Sequence, residues 1–308
     1  MYSHRHISFR WDFVQDLRFT FPSFRGNLIG IMEVQFETMP ALLTDEELSD
    51  LRKARFLLER PSMASRITKT LGKPIEGIFN HLPLGWNKAI HRASGSALSK
   101  ATRMATWTMM NRKGKSSSEG AHQCAVMISG GLGGSLGLAT LVWELPVSTT
   151  LMLRSIADIA RSEGHSLRDP ATRMSCLEVF AFEGRKSEGD DPDKHYWAVR
   201  LALAKAVSEA AAFQMSTRVA TKSVPVMTRL ISAVASRFGV MVSEQVAAKA
   251  IPIVGAASGM AINLIFINHF QTIARGHFIV KRLEKKYGTE VVQELYQGIA
   301  MPYQISTS

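Results

Sequence analysis

The stretch from Glu119 to Gly164 constrains the fold more than any other part of the sequence, because it is long, apolar and almost free of charge. Glu144 is the only formally charged residue between Glu119 and Arg154. The first half is rich in glycine and is interrupted at Glu-Leu-Pro, residues 144–146. Beyond this point, apolar side chains recur with the spacing of an amphipathic helix.

A second apolar run covers residues 250–274, which contain no formally charged side chain. Both runs are rich in small residues, and sustained period-two alternation is almost absent from the chain. The sequence therefore predicts an all-α multi-helix bundle with two Gly/Ala-rich apolar helical hairpins, one near 124–160 and one near 250–280. Local signals predict a helix start at Asp169-Pro170 and a helix end at Gly288.

Changes in composition divide the chain into four parts. Residues 1–31 mix arginine, phenylalanine and acidic residues and lack the apolar core of a signal peptide, so we expect a disordered extension or a mis-assigned start. Residues 32–115 are predicted to form N-terminal helices. A polar linker at 112–120 leads into a helical core, residues 116–298, and residues 299–308 are expected to form a frayed tail.

Each apolar run is long enough to supply the roughly 20 apolar residues of a membrane span. Both contain glycines four residues apart, which allow helices to pack closely in lipid or in a protein core. These pairs are Gly130 and Gly134, Gly133 and Gly137, and Gly255 and Gly259. Asn263, Asn268 and His269 are costly at bilayer depth unless another helix pairs with them. A buried core and membrane insertion therefore both stay open.

The charge balance favours an acidic partner, because the formal net charge is +11. A basic run late in the chain consists of Lys281, Arg282, Lys285 and Lys286. Such a run suits the C-terminal end of a helix, and near an anionic membrane each cation contributes about 1 kcal/mol of binding. Aromatic residues are not interleaved with these charges as a nucleic-acid stacking platform requires. The sequence thus favours an anionic membrane surface or a membrane protein complex over nucleic acid.

The segment Gly133-Gly-Ser135-Leu-Gly137 matches the Gly-x-Ser-x-Gly pattern of a nucleophile elbow. An elbow requires a strand in a parallel sheet, followed by an acid and a histidine that complete the triad. Later histidines exist, but no alternation of strands and helices surrounds them. A glycine-rich stretch produces this match readily. Ser135 is the one catalytic candidate, and a serine hydrolase or peptidase-like enzyme is the alternative function.

The charged residues of the first run share a helix face. Arg154 and Asp158 are four residues apart, and Asp158 and Arg161 are three apart. With Glu144 they predict either a surface ion-pair network or a polar seam facing a lipid headgroup or a partner. No metal or cofactor is predicted, because His269 and His277 lie about 80° apart around a helix and the sequence has no Cys-x-x-Cys or His-Glu-x-x-His motif.

Several segments resemble the bacterial EcsC family. They are Glu144–Gly164, Cys176–Phe180, Arg237–Glu244, Val254–Asn263 and His269–Phe278. The resemblance covers about residues 60–298 and implies a helical, membrane-associated domain in the bacterial cytoplasm or at the inner membrane. The family takes its name from a protein encoded beside an ABC transporter, and the resemblance supplies no catalytic residues.

These observations together predict a non-enzymatic, membrane-associated accessory protein that supports an ABC transporter or an envelope process. We expect it to dock through the apolar glycine-rich helices and the basic amphipathic helix, and to be cytoplasmic, peripheral to the inner membrane or partly inserted in it. A soluble helical interaction module with both apolar runs buried is the remaining alternative.

Overall fold

The structure, a computed structural model, describes residues 43–71, 86–109, 141–183, 192–215, 223–249 and 256–299. Of these residues 90% are helical and none forms a strand, which confirms the all-α prediction. The chain divides into two compact units, Met1–Glu46 and Glu47–Ser308. Only residues 43–46 of the first unit are described, and the core discussed below belongs to the second.

The described segments contain nine α-helices. In chain order they are α1 Asp45–Leu58, α2 Met63–Leu71, α3 Trp86–Met109, α4 Leu141–Ser162, α5 Pro170–Glu178, α6 Pro192–Met215, α7 Ser223–Lys249, α8 Ala256–Tyr287 and α9 Thr289–Gly298. A 3-10 turn, Val179–Ala181, continues from α5. Both predicted helix ends are confirmed: the Asp169 side chain accepts a hydrogen bond from the Ala171 amide at the start of α5, and Gly288 ends α8 with φ of +86°.

Helix α8 is the longest described helix, with 32 residues, and it forms the centre of the core. It packs against α4, α7 and α9 and against the short α2. Four phenylalanine rings, Phe180, Phe238, Phe266 and Phe270, meet in one group with centroid separations of 5.0 to 6.1 Å. Burying four such rings together supplies much of the apolar stabilisation of the bundle.

Among the described residues, two glycines outside the predicted set lie at close helix crossings. A Cβ atom on Gly276 of α8 would lie 2.8 Å from Leu58 Cγ and 3.0 Å from the Ala54 carbonyl oxygen of α1. Gly239 of α7 faces the His91 ring of α3 with no room for a side chain. Glycine thus lies at two helix crossings in the described residues, and the packing role of the glycines named from the sequence stays a prediction.

The structure differs from the sequence prediction at the Glu-Leu-Pro interruption, because α4 continues through Pro146 without a break. Proline removes one backbone donor from the helix. The helix nevertheless persists because Leu145, Met152 and Ile156 bury one continuous face on both sides of the proline. Packing of an amphipathic face outweighs the local preference of a single residue.

The second predicted hairpin, near 250–280, also differs in its described part. Residues 256–280 belong to the single helix α8, and the helix that packs antiparallel to it is α7. Gly259 lies within α8 and does not end it. A helix buried on most sides needs no turn to hide its apolar residues, since α4 and α7 cover them.

Candidate functional site

Helix α8 carries four buried polar side chains that are amides or imidazoles. Asn263, His269, Gln271 and His277 are all buried, although they occupy the interior of an apolar helix. Burying such groups costs free energy unless each finds a hydrogen-bond partner. Their partners form two groups, one toward α4 and one toward α5 and α6.

The first group begins where α4 and α8 start. The Gln245 amide of α7 donates to Asn263 Oδ1 at 2.7 Å, and Asn263 Nδ2 donates to Glu144 Oε1 at 3.1 Å. Three helices are thus joined by one chain of hydrogen bonds. Glu144, which interrupts the charge-free stretch of the sequence, therefore points toward another helix.

Two further contacts follow along the same pair of helices. Gln271 Nε2 donates to the Ser155 hydroxyl at 2.8 Å, and Arg275 Nη1 donates to Glu163 Oε1 at 3.4 Å. Burial raises the pKa of Glu163, opposed by the charges of Arg282 and Arg275. We call the three contacts, Glu144–Asn263–Gln245, Ser155–Gln271 and Glu163–Arg275, the polar ladder. It shows that α4 and α8 run parallel, and it fixes their register.

The predicted polar seam overlaps the ladder only at Glu144. Asp158 and Arg161 form an ion pair within α4, with the Asp158 side chain buried. Arg154 is half-buried and has no ion pair within the part of the chain that the structure describes. The predicted function of this face, contact with a headgroup or a partner, stays a prediction.

The second group of partners surrounds His277. The Tyr196 hydroxyl lies 2.9 Å from His277 Nδ1, and His277 Nε2 lies 3.6 Å from Glu178 Oε2. A tyrosine that donates to Nδ1 leaves the imidazole proton on Nε2, directed toward the carboxyl group. Burial lowers the pKa of His277 well below its usual range and raises the pKa of Glu178. Both groups are therefore favoured in their neutral forms.

His269 belongs to the same region through Phe182. Its Nε2 atom lies 2.9 Å from the Phe182 carbonyl oxygen, and the Phe182 ring packs against Tyr196 and His277. Burial lowers the pKa of His269 to about 4. We call Glu178, Phe182, Tyr196, His269 and His277 the histidine cluster.

A partly buried ion pair closes one side of the histidine cluster. Arg200 of α6 donates two hydrogen bonds to Glu284 of α8, at 2.6 and 2.9 Å. Its guanidinium group also lies over the rings of Tyr196 and Trp197. Every polar member of the cluster is at least nine-tenths buried, so the arrangement holds three helices together and presents no group to a substrate.

The other described residues meet the requirements neither of a metal site nor of a reactive thiol. No group of three His, Cys, Asp or Glu side chains that could hold a metal ion occurs there. Cys176 is buried, and burial raises the pKa of its thiol to about 12. This thiol is unreactive at neutral pH.

The predicted lipid-binding run lies at the C-terminal end of α8, where half of its charge is already paired. Arg282 contacts Asp50 at 2.5 Å and Glu163 at 3.2 Å, and Lys286 contacts Glu47 at 2.7 Å. Lys281 and Lys285 have no ion pair among the described residues. The run is therefore partly a junction between α1 and α8.

Two exposed apolar side chains lie near the opposite end of α8. Val147 of α4 and Met260 of α8 are 52% and 38% exposed, and each lies one helical turn from a member of the ladder, Glu144 or Asn263. We call Val147 and Met260 the apolar end. It lies where α4 and α8 begin.

One described helix is long and apolar enough to cross a membrane by length and composition, namely Val226–Ala248 within α7, with mean hydropathy of 1.3. Helices in the cores of soluble proteins meet the same criterion. The exposed positions of α7 include Arg229, Ser232 and Ser236. The exposed face of α7 is therefore polar, as in an amphipathic core helix.

Several predicted site residues lie outside the described residues. They are Ser135, Gly130, Gly133, Gly134, Gly137 and Gly255. The hydrolase alternative through Ser135 and the packing role of these glycines stay predictions.

Comparison with known proteins decides the family. The model of the EcsC protein family matches residues 45–283, which is more than half of the chain. The chain belongs to the EcsC protein family. No curated protein and no solved structure matches it. The match includes all of the polar ladder and the histidine cluster, whereas α9 lies beyond its end.

Proposed function

We propose that this EcsC family member is a non-enzymatic accessory protein that attaches to the inner membrane through the apolar end of its bundle. The observation that carries the proposal is the exposure of Val147 and Met260 beside a polar ladder that is satisfied from within. Exposed apolar patches beside polar residues mark sites of contact with a membrane or with another protein. Side chains that hydrogen-bond one another, as Asn263 and Gln245 do, lower the cost of approaching it.

The sequence on either side of this end supports the same orientation. Residues 120–143, which lead into α4, contain no formally charged side chain, and neither do residues 250–255, which lead into α8. Charged groups are costly in the hydrocarbon region of a bilayer. Two charge-free segments thus precede α4 and α8 in the sequence.

The basic run contributes less to this attachment. Met260 and Lys285 are separated along α8 by about 37 Å, at 1.5 Å per residue. A membrane that receives the apolar end is therefore remote from Lys281 and Lys285. The proposal therefore gives these two lysines a different role, which is contact with an acidic face of a membrane complex such as an ABC transporter.

Vesicle flotation of the full chain tests the attachment. Val147→Glu combined with Met260→Glu is expected to reduce binding to vesicles of phosphatidylglycerol and phosphatidylethanolamine at least tenfold, because two carboxylates replace the apolar contacts. The charge-reversal variant with Lys281→Glu and Lys285→Glu is expected to bind vesicles nearly as well as the unmodified chain.

A matched control separates attachment from a general effect of added charge. Phe56 of α1 is 44% exposed, similar to Val147 and Met260, and Phe56→Glu is expected to leave vesicle binding unchanged. If the lysine variant loses binding while the apolar-end variant keeps it, attachment occurs through the basic run instead. If no vesicle binds the unmodified chain, the soluble interaction module replaces this proposal.

A further inference from the structure

The outward face of α6 carries the two most exposed large apolar side chains among the described residues. Leu201 is 80% exposed and Met215 is 71% exposed. Between them, the exposed positions on the same face include Ala204, Ser208 and Ala212. A helix at the surface of a bundle usually carries charged residues on its outward face. The exposed apolar side chains of α6 therefore require an explanation.

The exposed residues of this face follow a heptad spacing. Leu201, Ser208 and Met215 are seven residues apart, and Ala204, Lys205 and Ala212 lie between them. Positions seven apart line one seam of a helix that packs against another helix. We call these six residues the α6 stripe. Lys205 is its only charged member.

The stripe is symmetric about Ser208. The large residues lie seven positions before and seven positions after it, and Ala204 and Ala212 lie four before and four after. We propose that the α6 stripe is the interface of a homodimer, in which two copies of α6 pack antiparallel about a two-fold axis at Ser208. A two-fold interface uses the same surface on both copies, so it requires self-complementarity of this kind.

The antiparallel arrangement pairs large residues with large ones. Leu201 of one copy meets the partner's Met215 at each end, while the alanines near the centre allow the helix backbones to approach closely. Because Ser208 is small, the two copies of it meet on the axis without a clash. A parallel arrangement would also align equal residues, but it would place Lys205 and the partner's Glu209 on opposite flanks of the interface.

Charge favours the antiparallel arrangement further. Lys205 and Glu209 lie on the same flank of α6, and a two-fold axis at Ser208 brings Lys205 close to the partner's Glu209 on that flank. Within one copy, Glu209 contacts Arg229 at 3.1 Å, in a pair that is largely exposed. Glu209 therefore has room for a second cation.

The stripe spans about 21 Å along the helix at 1.5 Å per residue. A contact of this length lies at the small end of specific interfaces, so we expect a dimer that dissociates at micromolar concentration. The hydroxyl of Ser208 and the charge of Lys205 at the centre of the stripe favour a protein partner over burial in lipid.

Cysteine cross-linking of the full chain tests the geometry. Ser208→Cys places two thiols at the proposed axis, so mild oxidation is expected to give a covalent dimer on a non-reducing gel. Ser236→Cys, on the exposed face of α7, is the matched control and is expected to give no covalent dimer, as is the unmodified chain with its two natural cysteines. Equal cross-linking of both cysteine variants would reject the two-fold axis at Ser208.

Light scattering with size-exclusion chromatography tests the contacts. Leu201→Glu is expected to raise the dimer dissociation constant at least tenfold. Lys205→Glu is expected to weaken the dimer by about threefold, and adding Glu209→Lys to it is expected to restore the lost affinity. A chain that is monomeric at all accessible concentrations overturns the proposal. Loss of vesicle binding in Leu201→Glu without any dimer in the unmodified chain identifies the stripe as a lipid contact instead.

Discussion

The polar ladder and the histidine cluster join α8 to different helices and use different chemistry. In the ladder, α8 meets the parallel helix α4 mainly through amides and hydroxyls, as in Ser155–Gln271. In the cluster, it meets α5 and α6 through groups that titrate, as in Glu178–His277–Tyr196. Both sets bury their polar atoms, but most of the groups with shifted pKa values lie in the cluster, and Glu163 is the one member of the ladder whose pKa is raised.

This difference indicates what each region contributes. A shift of α4 by one residue along α8 would break all three contacts of the ladder at once, so the ladder specifies register. The cluster is surrounded by aromatic rings, including the near-parallel pair of Tyr196 and Tyr296, so most of its stabilisation comes from packing. Removing a member of the cluster should therefore cost more than removing a member of the ladder.

Tyr196→Ala is the most disruptive change that we predict. The side chain is buried and contacts the rings of Phe182, Trp197, His277 and Tyr296. Its removal leaves a cavity, and we expect the free energy of unfolding to fall by about 3–5 kcal/mol. Urea denaturation followed by circular dichroism measures the change.

Tyr196→Phe is the control for packing, because it keeps the ring and removes only the hydroxyl that bonds His277. We expect a loss of about 1–2 kcal/mol. If Phe and Ala cost the same, the hydroxyl accounts for the whole effect and the packing argument for the cluster is wrong.

Asn263→Ala tests the ladder. The change leaves the Gln245 amide and the Glu144 carboxylate without their shared partner, and we expect a loss of about 1–3 kcal/mol in the same denaturation measurement. A double-mutant cycle with Gln245→Ala should give a coupling energy of at least about 0.5 kcal/mol. Strictly additive losses would show that the two amides do not act as a unit.

The helices of this protein were largely predictable from the sequence, because their apolar residues recur with helical spacing over long stretches. The all-α class and the helix ends at Asp169 and Gly288 were confirmed. The continuation of α4 through Pro146 was missed, since the proline signal is local and the packing that overrides it comes from other helices. The hairpin predicted near 250–280 was wrong for the same reason, since packing against other helices keeps residues 256–280 in the single helix α8.

The candidate site was predictable only in part. Asn263, Gln271 and the two histidines of α8 were visible as polar residues in an apolar run, which is the signal for a buried polar group. Their partners, such as Gln245 and Ser155, lie on helices distant in sequence, and no spacing rule connects them. The polar seam predicted from the sequence consisted of residues of one helix, because a helical pattern shows only which residues of the same helix lie close together.

His269 makes the pH response of the cluster measurable. Its folded-state pKa is lowered to about 4, against an ordinary value of 6.5, so the unfolded state binds more protons between these values. The contribution of His269 to the free energy of unfolding is therefore complete at neutral pH. It falls as the pH drops, by about 2 kcal/mol between pH 7 and pH 5. Glu178 has a raised pKa and acts in the opposite direction, since its contribution is lost as the pH rises.

A variant isolates the contribution of His269 from that of Glu178. Glutamine at position 269 can still donate to the Phe182 carbonyl but does not titrate, so His269→Gln should reduce the dependence of unfolding free energy on pH between 5 and 7, and the pKa of His277, which is also lowered, accounts for dependence that remains. Gln271→Leu in the ladder should lower stability and leave that dependence unchanged. Equal pH dependence in His269→Gln and the unmodified chain would contradict the assignment.

Arg154→Ala is expected to have the smallest effect, and it marks where the ladder ends. Arg154 shares a helix with Glu144 and Ser155 but is only half-buried and lacks an ion pair among the described residues, so thermal denaturation should show a change below about 0.5 kcal/mol. Arg275→Ala should cost more, because it removes a partner from the buried Glu163 carboxylate. A reversed order would mean that the face of α4 predicted from the sequence, and not the one that meets α8, holds this helix in place.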